Sequence, residues 1–302
     1  MRILDSNEYI SEKLNIKPVT KERLDDLRVP VVNEKIREFI KEHNLEWNPI
    51  TKRYDCNHGS VVISIISKRD LIVDGKFAIK FGNVAGSFDC SYNELTSLEG
   101  APQKVGTNFI CNHNNLTSLE GSPKYVGDNF NCSYNKLTTL EGAPQKVSGG
   151  FYCFRNKLKT LKGSPKEVGK DFDCFDNLLE TLEGAPQKVG NDFCCHRNKL
   201  KSLNGAPKKV GYDFRCFDNE LESLVGAPQE VGGDFVCDDN KLTTLVGSPQ
   251  YVERDFSCNN NPLTTLEGLS PKYIGGDFNC KHIPNLVLPK TKPSWLKGEI
   301  IS

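Results

Sequence analysis

The densest group of chemically capable residues is Cys194-Cys195-His196, two thiols and an imidazole in a row. Such a run suits a metal ion or a thiolate nucleophile. Along an extended strand, however, alternation sends Cys195 to one side and Cys194 and His196 to the other. Two ligands on one face do not make a structural zinc site, which usually needs four. The C-x-x-C spacing that marks such sites is absent from this part of the chain. Cys111-x-His113 and Cys280-x-His282 fail in the same way, because their Cys turn inwards. No Gly-rich loop is arranged to cradle a phosphate, and Gly149-Gly150 and Gly232-Gly233 sit at turns where Gly permits unusual backbone angles. Asp171, Asp192, Asp213, Asp234, Asp255 and Asp277 recur at the same place in a repeat. They read either as turn-side carboxylates bonding backbone N–H groups or as an acidic strip for a basic partner or Ca²⁺. No paired general acid and base stands beside a pocket. The chain therefore reads as non-enzymatic, with no catalytic residues, no metal and no cofactor.

The elements that position these residues come from one repeated phrase. Phe recurs at 88, 109, 130, 151, 172, 193, 214, 235 and 256, always 21 residues apart. A tenth copy begins at Phe278, one residue late, because Leu269 is inserted before Ser270-Pro271. Cys90 to Cys258, Asn93 to Asn261, Leu95 to Leu263 and Leu98 to Leu266 keep the same step. A short fixed period means stacked units, each too small to bury its own apolar side. Ten of the 12 cysteines occupy one column, Cys90 to Cys280. On neighbouring parallel strands they stand roughly 4.8 Å apart and point the same way, whereas a disulfide needs Cβ atoms about 3.8 Å apart and facing each other. They are core filler. The Asn column is expected to turn its amides inwards and bond the backbone of adjacent coils.

The phase of the phrase carries a resemblance. Phe109-x-Cys111-x-x-Asn114-x-Leu116 overlays the leucine-rich pattern Leu-x-Leu-x-x-Asn-x-Leu. From about Lys76 to Lys281 the chain resembles a leucine-rich-repeat protein of the short bacterial type. More narrowly, it is similar to 21-residue repeat proteins encoded by bacteriophages. The lead-in Tyr54-Asp-Cys-Asn and Asp74-Gly-Lys-Phe-Ala-Ile-Lys-Phe-Gly82 resembles what precedes such arrays. Phe and Cys replace the usual pair of Leu. The expected fold class is α/β: a leucine-rich-repeat solenoid with one long parallel β-sheet, a non-helical convex side and a small helical N-terminal region. Gly and Pro interrupt each return path too often for a helix.

Taken in order, residues 1–50 read as a helical N-terminal region. Ser6 and Thr20 are candidate caps, and the best helix starts at Asn33 with Ile36, Phe39 and Ile40 on one face. Residues 51–87 form a β-rich cap. Val61 to Ile66 is a β-type run, and Asp74-Gly75 turns a hairpin. The alternative is two degenerate coils. Residues 88–281 hold the array of ten coils, and 282–302 form a C-terminal cap around Leu286, Val287, Leu288, Trp295 and Leu296. Lys plus Arg and Asp plus Glu both total 39, so no basic excess points to nucleic acid. No apolar run reaches membrane-spanning length, and the N-terminus lacks a signal core. The expected location is cytoplasmic, that of an infected bacterial host if the phage resemblance holds.

One surface departs from this uniformity. The residue after each ladder Cys, which alternation puts on the open face of the sheet, reads Ser91, Asn112, Ser133, Phe154, Phe175, His196, Phe217, Asp238, Asn259 and Lys281. The ends are polar and the middle is aromatic. Arg155, Asp176, Arg197 and Asp218 follow in the next column, and Arg215 lies two residues before Phe217. Aromatic side chains with interleaved Arg have the composition of interface hot spots, although the rings also serve simply to extend the packing. These nine residues, Phe154, Arg155, Phe175, Asp176, His196, Arg197, Arg215, Phe217 and Asp218, are the candidate partner-binding site. The leading function is a protein-binding scaffold, namely a phage accessory protein that binds a host or defence protein through the concave face. The alternative is a virion or adhesion component binding a glycan or receptor, for which Tyr92, Tyr134 and Tyr152 supply further rings. The column of buried thiols makes one direct prediction. Quantitative thiol labelling of the native protein misses most of Cys90 to Cys280, and bridges between consecutive members would contradict the ladder.

Overall fold

Backbone pairing, coil on coil, builds the molecule. The computed structural model describes residues 30–63, 68–266 and 268–302, so the caps proposed at Ser6 and Thr20 lie outside the described residues. In each coil the column Phe and its successor form a short strand that pairs in parallel with the same two positions of its neighbours, as Phe151–Tyr152 does with Phe130–Asn131 and Phe172–Asp173. Hydrogen bonds extend this pairing past the Cys. Cys153 N–H donates to Asp173 O at 2.8 Å and Arg155 N–H to Phe175 O at 3.1 Å. The result is the expected long parallel sheet, here called the face sheet, with 12 strands from Val61–Val62 to Ile300–Ile301.

A second sheet runs beside it. The dipeptides ending in the Val column, such as Lys104–Val105, Lys146–Val147 and Glu167–Val168, pair in parallel along the return path. They form a back sheet, also of 12 strands. Sequence alone placed this segment on an extended return path but did not pair it. The pairing follows from the single period, since any extended stretch repeated every 21 residues meets its own copy one coil away. Lys146 and Glu167 are paired across adjacent back-sheet strands at 3.0 Å.

The core lies between the two sheets. Every column Phe is fully buried, and successive rings lie 5.0–5.9 Å apart along the axis. The Cys, both Leu columns and the Val column fill the remaining space. All 12 cysteines are free thiols and all are buried. The Asn column does what its chemistry allows. Asn177 Nδ2 donates to Cys153 O of the preceding coil and to Cys174 O of its own, both at 3.1 Å, while Oδ1 accepts from Leu158 N–H at 3.0 Å. Those backbone groups sit at the bend and would otherwise be buried without partners.

Glycine sets how closely coils approach. Gly163 takes φ +89°, and a Cβ there would meet the backbone of Leu140 and Glu141. At Gly190 the limit is space rather than angle, because a Cβ would overlap the carbonyl oxygen of Gly169.

Both ends of the stack are closed by non-repeating chain. Helix α1, Glu34–Glu42, starts at Asn33, whose Oδ1 accepts from Ile36 N–H at 2.9 Å. Its Ile36 and Phe39 are buried, and the Phe39 ring meets Phe81 edge-on at 6.4 Å. Strand β1 (Glu46–Asn48) closes the back sheet by pairing antiparallel with β2 (Arg53–Cys56). Between β2 and the array come β3 (Val61–Val62), the short helix α2 (Lys68–Leu71), β4 (Ile72–Val73) and β5 (Lys76–Phe77). The two alternatives for this region coexist. Strands β4 and β5 are an antiparallel hairpin, with Asp74 and Gly75 at φ 51° and 75°, the positive angles that a tight hairpin turn requires. Meanwhile β3 and β2 pair in parallel with Phe88–Asp89 and with Phe81–Val84, respectively, as a coil would. At the other end Ile300–Ile301 adds the last face strand, and Trp295 covers the Phe278 ring at 6.3 Å.

Adjacent substitutions separate inside from outside. Asn177→Ala leaves buried backbone groups unpaired and costs about 1–3 kcal/mol. Phe172→Ala empties a packed site and costs about 3–5 kcal/mol. Asp176→Asn, which keeps a residue type that accepts the φ of 55° at this position, removes only an exposed ion pair, worth less than about 1 kcal/mol. Denaturant unfolding of the three variants measures the contrast.

Candidate partner-binding face

On each face strand the residue after the Phe and the residue after the Cys point away from the core. The next residue takes a left-handed backbone angle, from Tyr92 at φ 59° through Arg155, Asp176, Arg197 and Asp218 at 53–55° to His282 at 56°. This bend turns the following Asn into the core and lifts its own side chain to the surface. Asn, Asp and His accept such angles more readily than other non-Gly residues. The Arg and Tyr in this column give no local sign of it.

The aromatic side chains of the face form one row. Phe154 stacks on Phe175 at 4.4 Å, Phe175 on His196 at 4.5 Å and His196 on Phe217 at 4.2 Å, all within 11° of parallel. The row continues towards the N-terminus in the neighbouring column. Tyr134 meets Phe154 edge-on at 5.5 Å, and His113 lies between Tyr134 and Tyr92 at 4.0 and 4.2 Å. Seven coils thus carry an unbroken line of rings. His113 was missed as a member; its 21-residue spacing from Tyr92 and Tyr134 was the available signal. Phe154, Phe175, His196 and Phe217 are half-buried, because each ring covers the next.

Charged residues flank the row. Arg155 Nε holds Asp176 Oδ2 at 3.0 Å, and its Nη1 donates to the Tyr134 hydroxyl at 2.9 Å. Arg197 Nε lies 3.6 Å from Asp218 Oδ2. Arg215 behaves differently from the other expected contact residues. Its guanidinium donates to Asp192 Oδ2 at 2.7 Å, to Asp213 Oδ2 and to Cys194 Sγ at 3.6 Å. It is clamped against its own sheet, where it supports the face.

That clamp changes the status of Cys194. Alternation put this thiol on the open face, and the open face is where it lies, but it is only 7 % exposed. Burial, and next Asp173, push its pKa up against the opposing pull of Arg215. A thiol so held is a poor nucleophile. Asp173, hydrogen-bonded to Cys194, has its pKa raised to about 6, chiefly by burial. His196 is pushed the other way, to about 4, by burial first and then by Arg197 and Arg215. Its Nδ1 is buried without a partner, so at neutral pH it serves as an uncharged ring. Among the described residues no three His, Cys, Asp or Glu side chains gather as a metal-holding group.

The Asp column resolves into backbone ties. Asp192 N–H donates to Asp171 Oδ1 at 3.4 Å, Asp213 N–H to Asp192 Oδ1 at 3.0 Å and Asp277 N–H to Asp255 Oδ1 at 2.8 Å. Asn108 and Asn129 play the same part earlier in the stack. Gly150 lacks the side chain, and the Tyr152 ring fills the place its Cβ would take.

Parallel Phe-x-Cys strands, an inward Asn ladder and one coil per period define the architecture. It is a parallel-strand solenoid of one coil per 21-residue repeat. No family model matches the sequence, and no curated protein does. Among solved structures, YopM from Yersinia enterocolitica WA-314 is similar at 14% identity with a TM-score of 0.41. The alignment covers 73% of this chain and 63% of that one. Among the described residues no helix is long and apolar enough to cross a membrane.

The two shifted groups predict opposite pH effects. Asp173 has a folded pKa above its unfolded value, so the folded state holds the proton more tightly and stability falls as pH rises from about 4 to 6. Asp173→Asn removes that penalty and raises the unfolding temperature at pH 7, by no more than about 2–3 kcal/mol in stability, with little gain at pH 4. For His196 the folded pKa is depressed, so stability is lost as pH falls from about 6.5 to 4. His196→Phe therefore helps more at pH 5 than at pH 7.5. Thermal melts across pH check both signs.

Proposed function

We propose that this chain is a non-enzymatic protein-binding scaffold whose contact surface is the ring row of the face sheet, centred on Phe154, Phe175, His196 and Phe217. The supporting observation is the row itself. The solenoid stands without it, since coils at either end carry Ser, Asn, Asp or Lys at the same position. Half-buried aromatic side chains beside Arg155 and Arg197 are the kind of anchors on which protein interfaces concentrate binding energy.

The stacking also separates classes of partner. A sugar ring or a nucleic-acid base binds an aromatic side chain by its flat face. From Phe154 to Phe217 the facing sides of the rings are covered by one another at 4.2–4.5 Å, and inside the row edges are what remain. Ring edges carry partial positive charge and suit backbone carbonyls, carboxylates and the rims of other side chains. This favours a protein surface over a glycan. The resemblance to phage-encoded repeat proteins suggests the setting, an accessory protein that binds a host or defence protein in an infected bacterium.

The experiment is affinity capture from bacterial lysate with the parent and with Phe154→Ser/Phe175→Ser/Phe217→Ser. The variant loses the captured protein while its unfolding temperature drops by only a few degrees, because these rings lie outside the core. Undiminished capture by the variant would move the contact surface elsewhere on the chain.

A further inference from the structure

The charges around the ring row have an order that the solenoid itself does not require. Coils four and six carry Arg155, Lys157 and Lys159, and Arg197, Lys199 and Lys201. Coils five and seven carry Asp176 and Glu180, and Asp218, Glu220 and Glu222. The face and its rim are thus striped plus, minus, plus, minus across the four coils that hold Phe154 to Phe217. In coils one to three the position of Lys159 is Thr96, Thr117 and Thr138, and in coil eight it is Thr243. Alternation does relieve repulsion between adjacent strands, yet Lys136 and Lys157 stand in neighbouring coils at one position. Like charges in neighbouring coils are thus tolerated by the stack.

A stripe pattern of this kind is complementary to its own reverse. We propose that the face pairs with a second copy of the chain about a two-fold axis parallel to the strands, passing between coils five and six. The proposal rests on the reading of this face as a protein-contact surface and names one partner for it. Rotation about such an axis preserves position along the strand and reverses the order of coils. Coil four then lies over coil seven, and coil five over coil six. Arg155 opposes Asp218 of the second copy, and Arg197 opposes Asp176. The ring row meets itself, with Phe154 over Phe217 and Phe175 over His196. An isologous contact needs this reciprocity. An axis along the solenoid fails, because it lays each coil on its own copy and sets like charge on like.

The local ion pairs leave room for the added ones. The contact of Arg197 with Asp218 engages Nε and one carboxylate oxygen, so the Nη groups are free to reach a second carboxylate. The axis also falls at the middle of the ten coils, so the whole array overlaps. Lys136 then lies over Lys241 of the second copy, whose charge Glu220 of its own chain already pairs at 2.9 Å. Strands about 4.8 Å apart and about five residues wide offer roughly 800 Å² per copy over ten coils, near the ~800 Å² per partner of a standard interface. Dimer formation and capture of another protein then compete for one surface.

Sedimentation equilibrium of the full chain tests the pairing. The parent dimerises in a concentration-dependent way, and raising NaCl from about 0.1 to about 1 M weakens the dimer roughly tenfold or more, as screening of its charge pairs requires. Arg155→Asp/Arg197→Asp makes all four positions of this column, 155, 176, 197 and 218, acidic, and Asp176→Arg/Asp218→Arg makes all four basic. Each variant alone is monomeric where the parent is dimeric, and an equimolar mixture restores the dimer. Recovery on mixing cannot come from misfolding. If either variant does not fold, the salt series of the parent decides. A parent that stays monomeric at roughly 100 µM, a salt-insensitive dimer, or folded variants that dimerise alone would overturn the pairing. A monomeric parent that still captures a protein through Phe154, Phe175 and Phe217 overturns the pairing and leaves the scaffold reading in place. A charge-dependent dimer whose lysate capture ignores those rings does the reverse.

Discussion

The structure depends on satisfying backbone groups between coils at strand spacing. A coil of 21 residues is too short to bury an apolar side of its own, so each gains its order from the two beside it. Face-sheet and back-sheet pairing accounts for the extended stretches. The bends are harder, because their N–H and C=O groups face the core where water does not reach. The Asn ladder answers this at one bend, with each amide tying its own coil to the one before. The carboxylate and amide ladder that runs through Asn129, Asp213 and Asp255 does so beside the face strands. Side chains at these positions act as pieces of backbone.

Close approach then dictates the rest of the composition. Coils can stack only if nothing projects between them, which is why Gly190 faces the carbonyl of Gly169 and why Cys serves beside Phe in the core. A thiol is small, apolar enough to bury and only a weak hydrogen-bond donor, as where Cys237 Sγ donates to Ser257 O at 3.1 Å. Phe rings in register stack along the axis and fill the space between the sheets. Nothing in this arrangement constrains the outward residues, and the face is free to vary. That independence lets a ring row and a charge pattern occupy coils four to seven without disturbing the core beneath them. Its limit is Cys194, Asp173 and Arg215, where outward positions have become a second, polar layer of packing.

The fold was legible because its cause is local and repeated. A fixed period, an alternating Phe-x-Cys and an Asn at one bend specify parallel strands, a buried thiol column and an amide ladder, whatever the coil. Alternation likewise told which side of the strand Phe154, Phe175 and Phe217 occupy. What lay beyond reach were relations between columns. The change of column by which Tyr134 meets Phe154, and His113 joins the same row, depends on the left-handed bend after the strand. Neither Tyr134 nor Arg155 signals that bend.

Burial on the face was decided only by tertiary structure, and for a physical reason. Sequence assigns a direction to each side chain, but how far water reaches it depends on the neighbours one coil away. Arg215 has the composition of an exposed contact residue, and Asp192 and Asp213 hold it down instead. Cys194 points outward and is covered by that same Arg215. The sequence by itself determined period, phase and which residues face the core, because these follow from backbone geometry. Which outward residues remain available to a partner was settled by side chains meeting across coils.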